Sequence, residues 1–88
     1  MEVDPGRVQV VARLPGSGGG RSLMLNGHMD IDPLPSGMTR DPWTPTIEGD
    51  RYYGAGIGNM KGGLAAMVAA TLAAKRAGFP RRGDVVVA

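Results

Sequence analysis

The 88-residue chain contains no cysteine, so neither a disulfide nor a thiolate metal site can staple it. Aromatic residues are scarce: Trp43, Tyr52, Tyr53 and Phe79 are the whole set. A core drawn from Val, Leu, Met and Ala buries little area per side chain, which makes an independent fold of this size marginal. No apolar run approaches the roughly 18 residues that span a bilayer, and Met1-Glu2-Val3-Asp4 is no signal peptide. A dominant charge is lacking too. The net charge is +2, and the basic residues scatter from Arg7 to Arg82, adjacent only at Lys75-Arg76 and Arg81-Arg82. Nucleic-acid binding needs a basic stripe with stacking aromatics beside it. These absences lead to the expectation of a soluble, cytoplasmic chain with no nucleic-acid and no membrane partner, large enough for one small domain at most.

What is present suits a globular chain. Hydrophobic residues make up 42% and charged residues 20%, which is wrong for disorder. Val8 to Leu14 is short and β-branched and predicts a strand. Pro15 to Gly20 is a turn or flexible loop. Leu23-Met24-Leu25 is a continuous apolar run, the pattern of a strand buried on both faces, and it leads straight into Asn26-Gly27-His28-Met29-Asp30. The polar cluster thus falls at a strand's C-terminal end, where open α/β sheets bind ligands.

Residues 32–45 hold four prolines and no periodicity, which predicts a long loop. Thr46 to Tyr53 predicts a hairpin turning at Gly49-Asp50, and Gly54, Gly56 and Gly58 form a flexible approach to a helix. That helix is written in Leu64, Met67, Val68, Thr71, Leu72 and Lys75 on one face, with alanines on the flanks. Asn59 is the expected N-cap, Lys75 and Arg76 suit the C-terminal dipole, and Gly78 is the stop. Asp84 to Ala88 begins another strand. Strand, strand, loop, hairpin, helix, strand implies an α/β sheet with a helix over one face.

Two clusters could carry chemistry. His28 and Asp30 form His-x-Asp: a neutral imidazole is a good zinc ligand, and a carboxylate on its other nitrogen fixes the tautomer. On spacing alone the triplet fits equally a surface histidine beside a loop carboxylate. Asn59-Met60-Lys61-Gly62-Gly63 is the second cluster, and a helix cap with close-packing glycines accounts for it locally. It lacks the Ser or Thr after Lys of a phosphate loop, and Asn at 59 breaks a dinucleotide fingerprint. Trp43, Tyr52 and Tyr53 read as partly buried beneath the Pro-rich loop, with pocket lining as the alternative. Met24, Met60 and Met67 read as packing residues. Asp32 and Asp41 receive no role.

In combination the segments are more specific. Leu23 to Asp30 resembles the apolar strand and Gly-His-x-Asp of the zinc metallopeptidase and amidohydrolase family of aminoacylase, acetylornithine deacetylase, succinyl-diaminopimelate desuccinylase and carboxypeptidase G. Asp41 to Gly54 resembles that family's Asp-Pro-Phe loop and hairpin, and Ala55 to Ala66 its Gly-Arg-Gly-Ala-x-Asp-Met-Lys-Gly-Gly stretch and helix.

The resemblance implies part of the catalytic domain of a two-zinc aminopeptidase-like α/β fold. It implies two zinc ions per complete domain (cobalt or manganese as substitutes), N-acyl amino acid or small-peptide substrates, and a parent that forms a homodimer. By the same likeness His28 binds one zinc, Asp30 orients His28 as the catalytic-site carboxylate, and residue 59 bridges the metals. Here residue 59 is Asn where the family has Asp, and residue 55 is Ala where Arg is common. An amide offers one neutral oxygen and an NH₂ that cannot ligate, so Asn59 is expected to be a weak or absent ligand. The general-base Glu and the remaining ligands are expected beyond Ala88, and an opening strand and helix upstream. The chain, 1–88, therefore reads as a catalytic domain truncated at both ends, without its lid and dimerisation domain and inactive alone. Rival readings are a non-catalytic binding module of the same fold and a non-functional truncated gene product.

Overall fold

The computed structural model describes residues 2–88. Val85–Val87 (β7) is the central strand of a three-stranded sheet. Ala12–Leu14 (β3) pairs with it antiparallel, Leu14 opposite Val85. Leu23–Leu25 (β4) pairs with its other edge in parallel, Leu23 level with Val85 and Leu25 level with Val87. A parallel pair cannot be closed by a tight turn, so the chain between β4 and β7 must travel out and return. It does so through the Pro-rich loop, a hairpin of Thr46–Glu48 (β5) and Arg51–Tyr53 (β6), and the helix Gly62–Arg76 (α1). Glu2–Asp4 (β1) and Arg7–Val8 (β2) form a separate antiparallel pair.

The helix covers the predicted periodic stretch and ends as predicted. Gly78 takes φ +63, the Gly78 N–H donates to the Lys75 carbonyl at 3.2 Å, and the Phe79 N–H donates to the Ala74 carbonyl at 3.2 Å. This is the double bond pattern by which a left-handed glycine satisfies the last carbonyls. Its start differs from expectation. The N-cap position is Lys61, with no side-chain cap bond, and Asn59 lies in the preceding turn with non-helical backbone angles. The Asn59 amide is engaged elsewhere, as shown below.

Three further expectations are corrected. Residues 8–14 do not form one strand: the chain leaves the β1–β2 pair at Val8 and joins the larger sheet at Ala12, because β7 offers only three residues to pair with. β4 is an edge strand, and Leu23 and Met24, which point to opposite faces, are 55% and 60% exposed instead of buried. Met24 is accordingly no packing residue. On α1, Leu64, Met67, Thr71 and Ala74 are half-buried, whereas Val68, Leu72 and Lys75 of the predicted stripe are exposed. The apolar stripe is wider than the three-stranded sheet beneath it.

Burial is correspondingly thin. Among the described residues only Leu14 and Val87 count as buried hydrophobic residues. The chain forms a slab of 53 × 38 × 16 Å with a radius of gyration of 16.6 Å. A compact domain of this length would have a radius near ~12 Å. Ile57–Arg76 also passes, by length and composition alone, as a helix able to cross a membrane, contrary to the sequence expectation. Only Gly62–Arg76 of it is α-helix, and its 15 residues rise about 22 Å against the ~30 Å of a bilayer core.

Two local features hold the sheet and helix in register. Asp84, just before β7, accepts from Arg13 Nε at 2.6 Å and from the Gly16 N–H at 2.8 Å, while its own N–H donates to Ser22 Oγ at 3.1 Å. It clips the end of β3 and the start of β4 to the central strand. Gly27 lets α1 approach the end of β4: a Cβ there would come within 2.5 Å of Leu64 Cδ2 and 3.1 Å of Met60 Cε.

Each feature predicts an outcome. The Arg13 guanidinium, and then the Gly16 N–H, hold the Asp84 carboxyl below the ordinary carboxylate range. A depressed folded value contributes stability above the unfolded Asp value of about 3.9, lost as pH falls through the folded value. An NMR carboxyl titration should find Asp84 below the ordinary range and moved upward in Arg13→Gln, and Asp84→Asn should flatten the acid side of the stability profile. Gly27→Ala should destabilise the chain by about 1 kcal/mol, the low end for overpacking because the Leu64 methyl and the Met60 tip are ends of flexible side chains. Denaturant unfolding measures this, and an unchanged midpoint would mean that the approach of α1 to β4 is not tight.

Candidate metal centre

The parallel ladder runs slightly past the strands: the Ala88 N–H donates to the Leu25 carbonyl and the Gly27 N–H to the Ala88 carbonyl, both at 3.0 Å. His28 is the next residue and so leaves the sheet at its C-terminal edge. Asn59 reaches the same place from the other direction. After Gly56 the chain makes a turn over Ile57–Lys61, closed by the Lys61 N–H donating to the Gly56 carbonyl at 2.9 Å. The Asn59–Met60 peptide within it is cis, and Asn59 itself is extended at φ −134, ψ 96.

His28 and Asn59 therefore meet across 31 sequence positions, with Nε2 of the ring 3.2 Å from the amide Oδ1. The other ring nitrogen, Nδ1, lies 3.1 Å from the Asp30 carboxylate and 3.1 Å from the Asp30 carbonyl. Asp32, given no role by the sequence reading, joins the group: its Oδ2 accepts from Asn59 Nδ2 at 3.2 Å. The four side chains form one chain of contacts, Asp30 to His28 to Asn59 to Asp32. His28, Asp30 and Asp32 alternate along the segment that follows β4, and that spacing was available in the sequence.

The histidine has an unusual set of partners. Both ring nitrogens face oxygen acceptors, yet a neutral imidazole carries only one proton. With the proton on Nδ1, donated to Asp30, the Nε2 lone pair points at the Asn59 oxygen. Either a doubly protonated ring or a cation held between Nε2 and Oδ1 reconciles the two. The separation suits a cation: two ligands about 2.0–2.2 Å from one tetrahedral zinc lie about 3.4 Å apart, close to the 3.2 Å found. His28 and Asn59 thus fit one shared metal ion as a pair. Among the described residues no three His, Asp or Glu groups converge on one point. A catalytic zinc takes three protein ligands, one more than this pair supplies.

The surrounding loop is organised by the other carboxylate left without a role. Asp41 accepts from the Trp43 N–H at 3.0 Å and from Thr44 Oγ1 at 2.6 Å, and those bonds, the Thr44 one foremost, hold its carboxyl below the ordinary range. The Ala55 N–H, donating to the Pro42 carbonyl at 2.8 Å, ties this loop to the glycine-rich approach of α1. Trp43, expected to be partly covered, is 66% exposed. It borders a shallow groove of about 210 Å³ with Pro45, Ala55, Ile57 and Lys61. Tyr53 borders a second, of about 350 Å³, beneath the Arg40 guanidinium, which stacks on its ring at 4.0 Å and bonds Glu48 at 2.7 Å. Tyr52 borders neither groove.

The protein family described as peptidase family M20/M25/M40 matches residues 24–88. The succinyl-diaminopimelate desuccinylase of Gluconobacter oxydans (strain 621H) is 45% identical over 64 residues, covering 73% of this chain and 16% of that protein. The enzyme of the same name from Rhizorhabdus wittichii is 38% identical over 69 residues, covering 78% of this chain and 18% of that protein. The acetylornithine deacetylase of Aliivibrio salmonicida (strain LFI1238) is 44% identical over 62 residues, 69% of this chain and 16% of that protein. The chain spans about a sixth of the length of these curated relatives. No solved structure matches it. The family match takes in most of β4, the segments that bring His28 and Asn59 together, the hairpin, α1 and β7: the chain belongs to peptidase family M20/M25/M40.

Proposed function

We propose that this chain is the metal-facing part of a hydrolase that cleaves the amide bond of N-acyl amino acids or small peptides. The apposition of His28 Nε2 and Asn59 Oδ1 at the sheet's C-terminal edge carries the reading. The names desuccinylase and deacetylase, borne by relatives at 45% and 44% identity, support an acyl–nitrogen bond as the one broken. His28 and Asn59 would hold a zinc ion jointly, and Asp30 would fix the ring by accepting from Nδ1, leaving Nε2 free to ligate. A divalent ion bound there supplies Lewis acidity toward an amide carbonyl and a hydroxide at neutral pH. Asn59 contributes a neutral oxygen where a carboxylate would bring charge, so its share of the binding is weaker. Among the described residues no group of three His, Asp or Glu side chains completes such a site.

The neutral amide also favours a second reading: a module that keeps the fold and binds an acylated amino acid without hydrolysing it.

The two readings separate on zinc. Calorimetric titration of the chain should show weak zinc uptake, lowered at least about tenfold by His28→Ala, with no turnover of an N-acetyl or N-succinyl amino acid by this chain alone. Zinc uptake indifferent to His28→Ala would overturn the metal reading. Metal-independent binding of the N-acyl amino acid would then establish the module.

A further inference from the structure

An asparagine amide has two ends of similar shape and opposite chemistry. Its oxygen can accept a proton or ligate a cation; its NH₂ can do neither and repels one. His28 does not decide for the oxygen, since with its proton on Nδ1 its Nε2 would accept from the NH₂. Asp32 does decide. A carboxylate presents acceptors only, so the end of Asn59 that lies 3.2 Å from Asp32 Oδ2 must be Nδ2. The oxygen is thereby turned to His28 Nε2, 3.2 Å away. Asp32 also sets a negative charge one hydrogen bond from an amide that has none.

We infer that Asp32 is a positioning residue of this site: its carboxylate holds the Asn59 amide by the NH₂ so that the carbonyl oxygen, the only liganding end, is offered beside His28. The inference rests on the reading of His28 as a metal ligand, but the contact itself exists without metal. It has a consequence for residue 59. In Asn59→Asp the contact becomes two carboxylates about 3.2 Å apart, and like charges that close oppose each other. A cation relieves that repulsion, so zinc keeps the gain of an anionic bridge, but no amide is left for Asp32 to orient. Asp32 orients an asparagine at 59 and is only a nearby charge to an aspartate there.

The test is a double-mutant cycle on the full 88-residue chain, with zinc affinity by calorimetry and the metal-free Asn59 side-chain NH₂ and His28 ring nitrogens by NMR. Asp32→Ala should weaken zinc about tenfold, the low end of the range for groups behind a ligand because this one is exposed. Without metal it should remove the downfield, exchange-protected Asn59 NH₂ proton. Asp32→Asn keeps an acceptor without the charge and should fall between. In the Asn59→Asp background, where no amide is left to orient, Asp32→Ala should weaken zinc by much less. An equal loss of zinc in both backgrounds would overturn the inference, since it would make Asp32 a ligand in its own right. Unchanged zinc affinity together with an unchanged Asn59 NH₂ signal in Asp32→Ala would overturn it as well. Zinc affinity unmoved by His28→Ala defeats the metal reading instead, and the metal-free NH₂ signal still decides whether Asp32 orients the amide.

Discussion

The parallel pairing of β4 with β7 is the constraint from which the site follows. Two strands running the same way need a long return path between them, and here that path contains every other element of residues 26–84. Because both strands end level, the path begins at His28, on the edge where it must also pass as it turns into α1. The His28–Asn59 contact is thus a product of topology more than of local attraction. Burial does little to hold the pairing, with Leu14 and Val87 the buried hydrophobic residues. Hydrogen bonds at both ends do more: Leu23 N–H to the Asp84 carbonyl at one end, Ala88 and Gly27 at the other. Asp84 stands where three segments converge and satisfies a donor or acceptor in each.

Periodicity and punctuation made the helix legible, and the hairpin with it. α1 runs from Gly62 to Arg76 as its rhythm indicates, and Gly49 turns the hairpin with φ +60. These are local decisions, taken within a few residues. Burial is not local. Leu23 and Met24 have the composition of a doubly covered strand, but coverage depends on neighbours that these residues cannot specify, and both are exposed at the sheet's edge. Val68 and Leu72 teach the same lesson on the helix, whose stripe is wider than the sheet it meets. Curated relatives run about six times longer than the matched stretch.

The site was legible in its members and illegible in its wiring. His28, Asp30 and Asn59 were each visible from residue type and position, and they do meet. What the sequence could not show was that Asn59 has two competing uses. A cap role and a site role are both open to an asparagine before a helix, and only the backbone of the turn decides between them. At φ −134, ψ 96, with Lys61 at the N-cap position, its amide is free to reach His28 and Asp32. Asp32 escaped notice for a related reason. A carboxylate before a proline in a loop is unremarkable until its partner, 27 positions later, is known.

The arrangement also bears on how a neutral residue would serve at an edge proposed to hold an ion. Moving a negative charge from one side chain to the next displaces it by a few ångström, and the cost of that depends on the medium. At 4 Å a pair of unit charges interacts by about 1 kcal/mol in water and about 4 kcal/mol at the effective dielectric of a protein surface. The Asp30 side chain is 87% exposed and that of His28 43%. In so wet an edge a carboxylate held behind an amide loses little of its attraction for a cation, and orientation of the amide matters more than the exact place of the charge. Covering the edge would reverse that order: each step of displacement would grow costlier, and an oxygen carrying its own charge would become the better ligand.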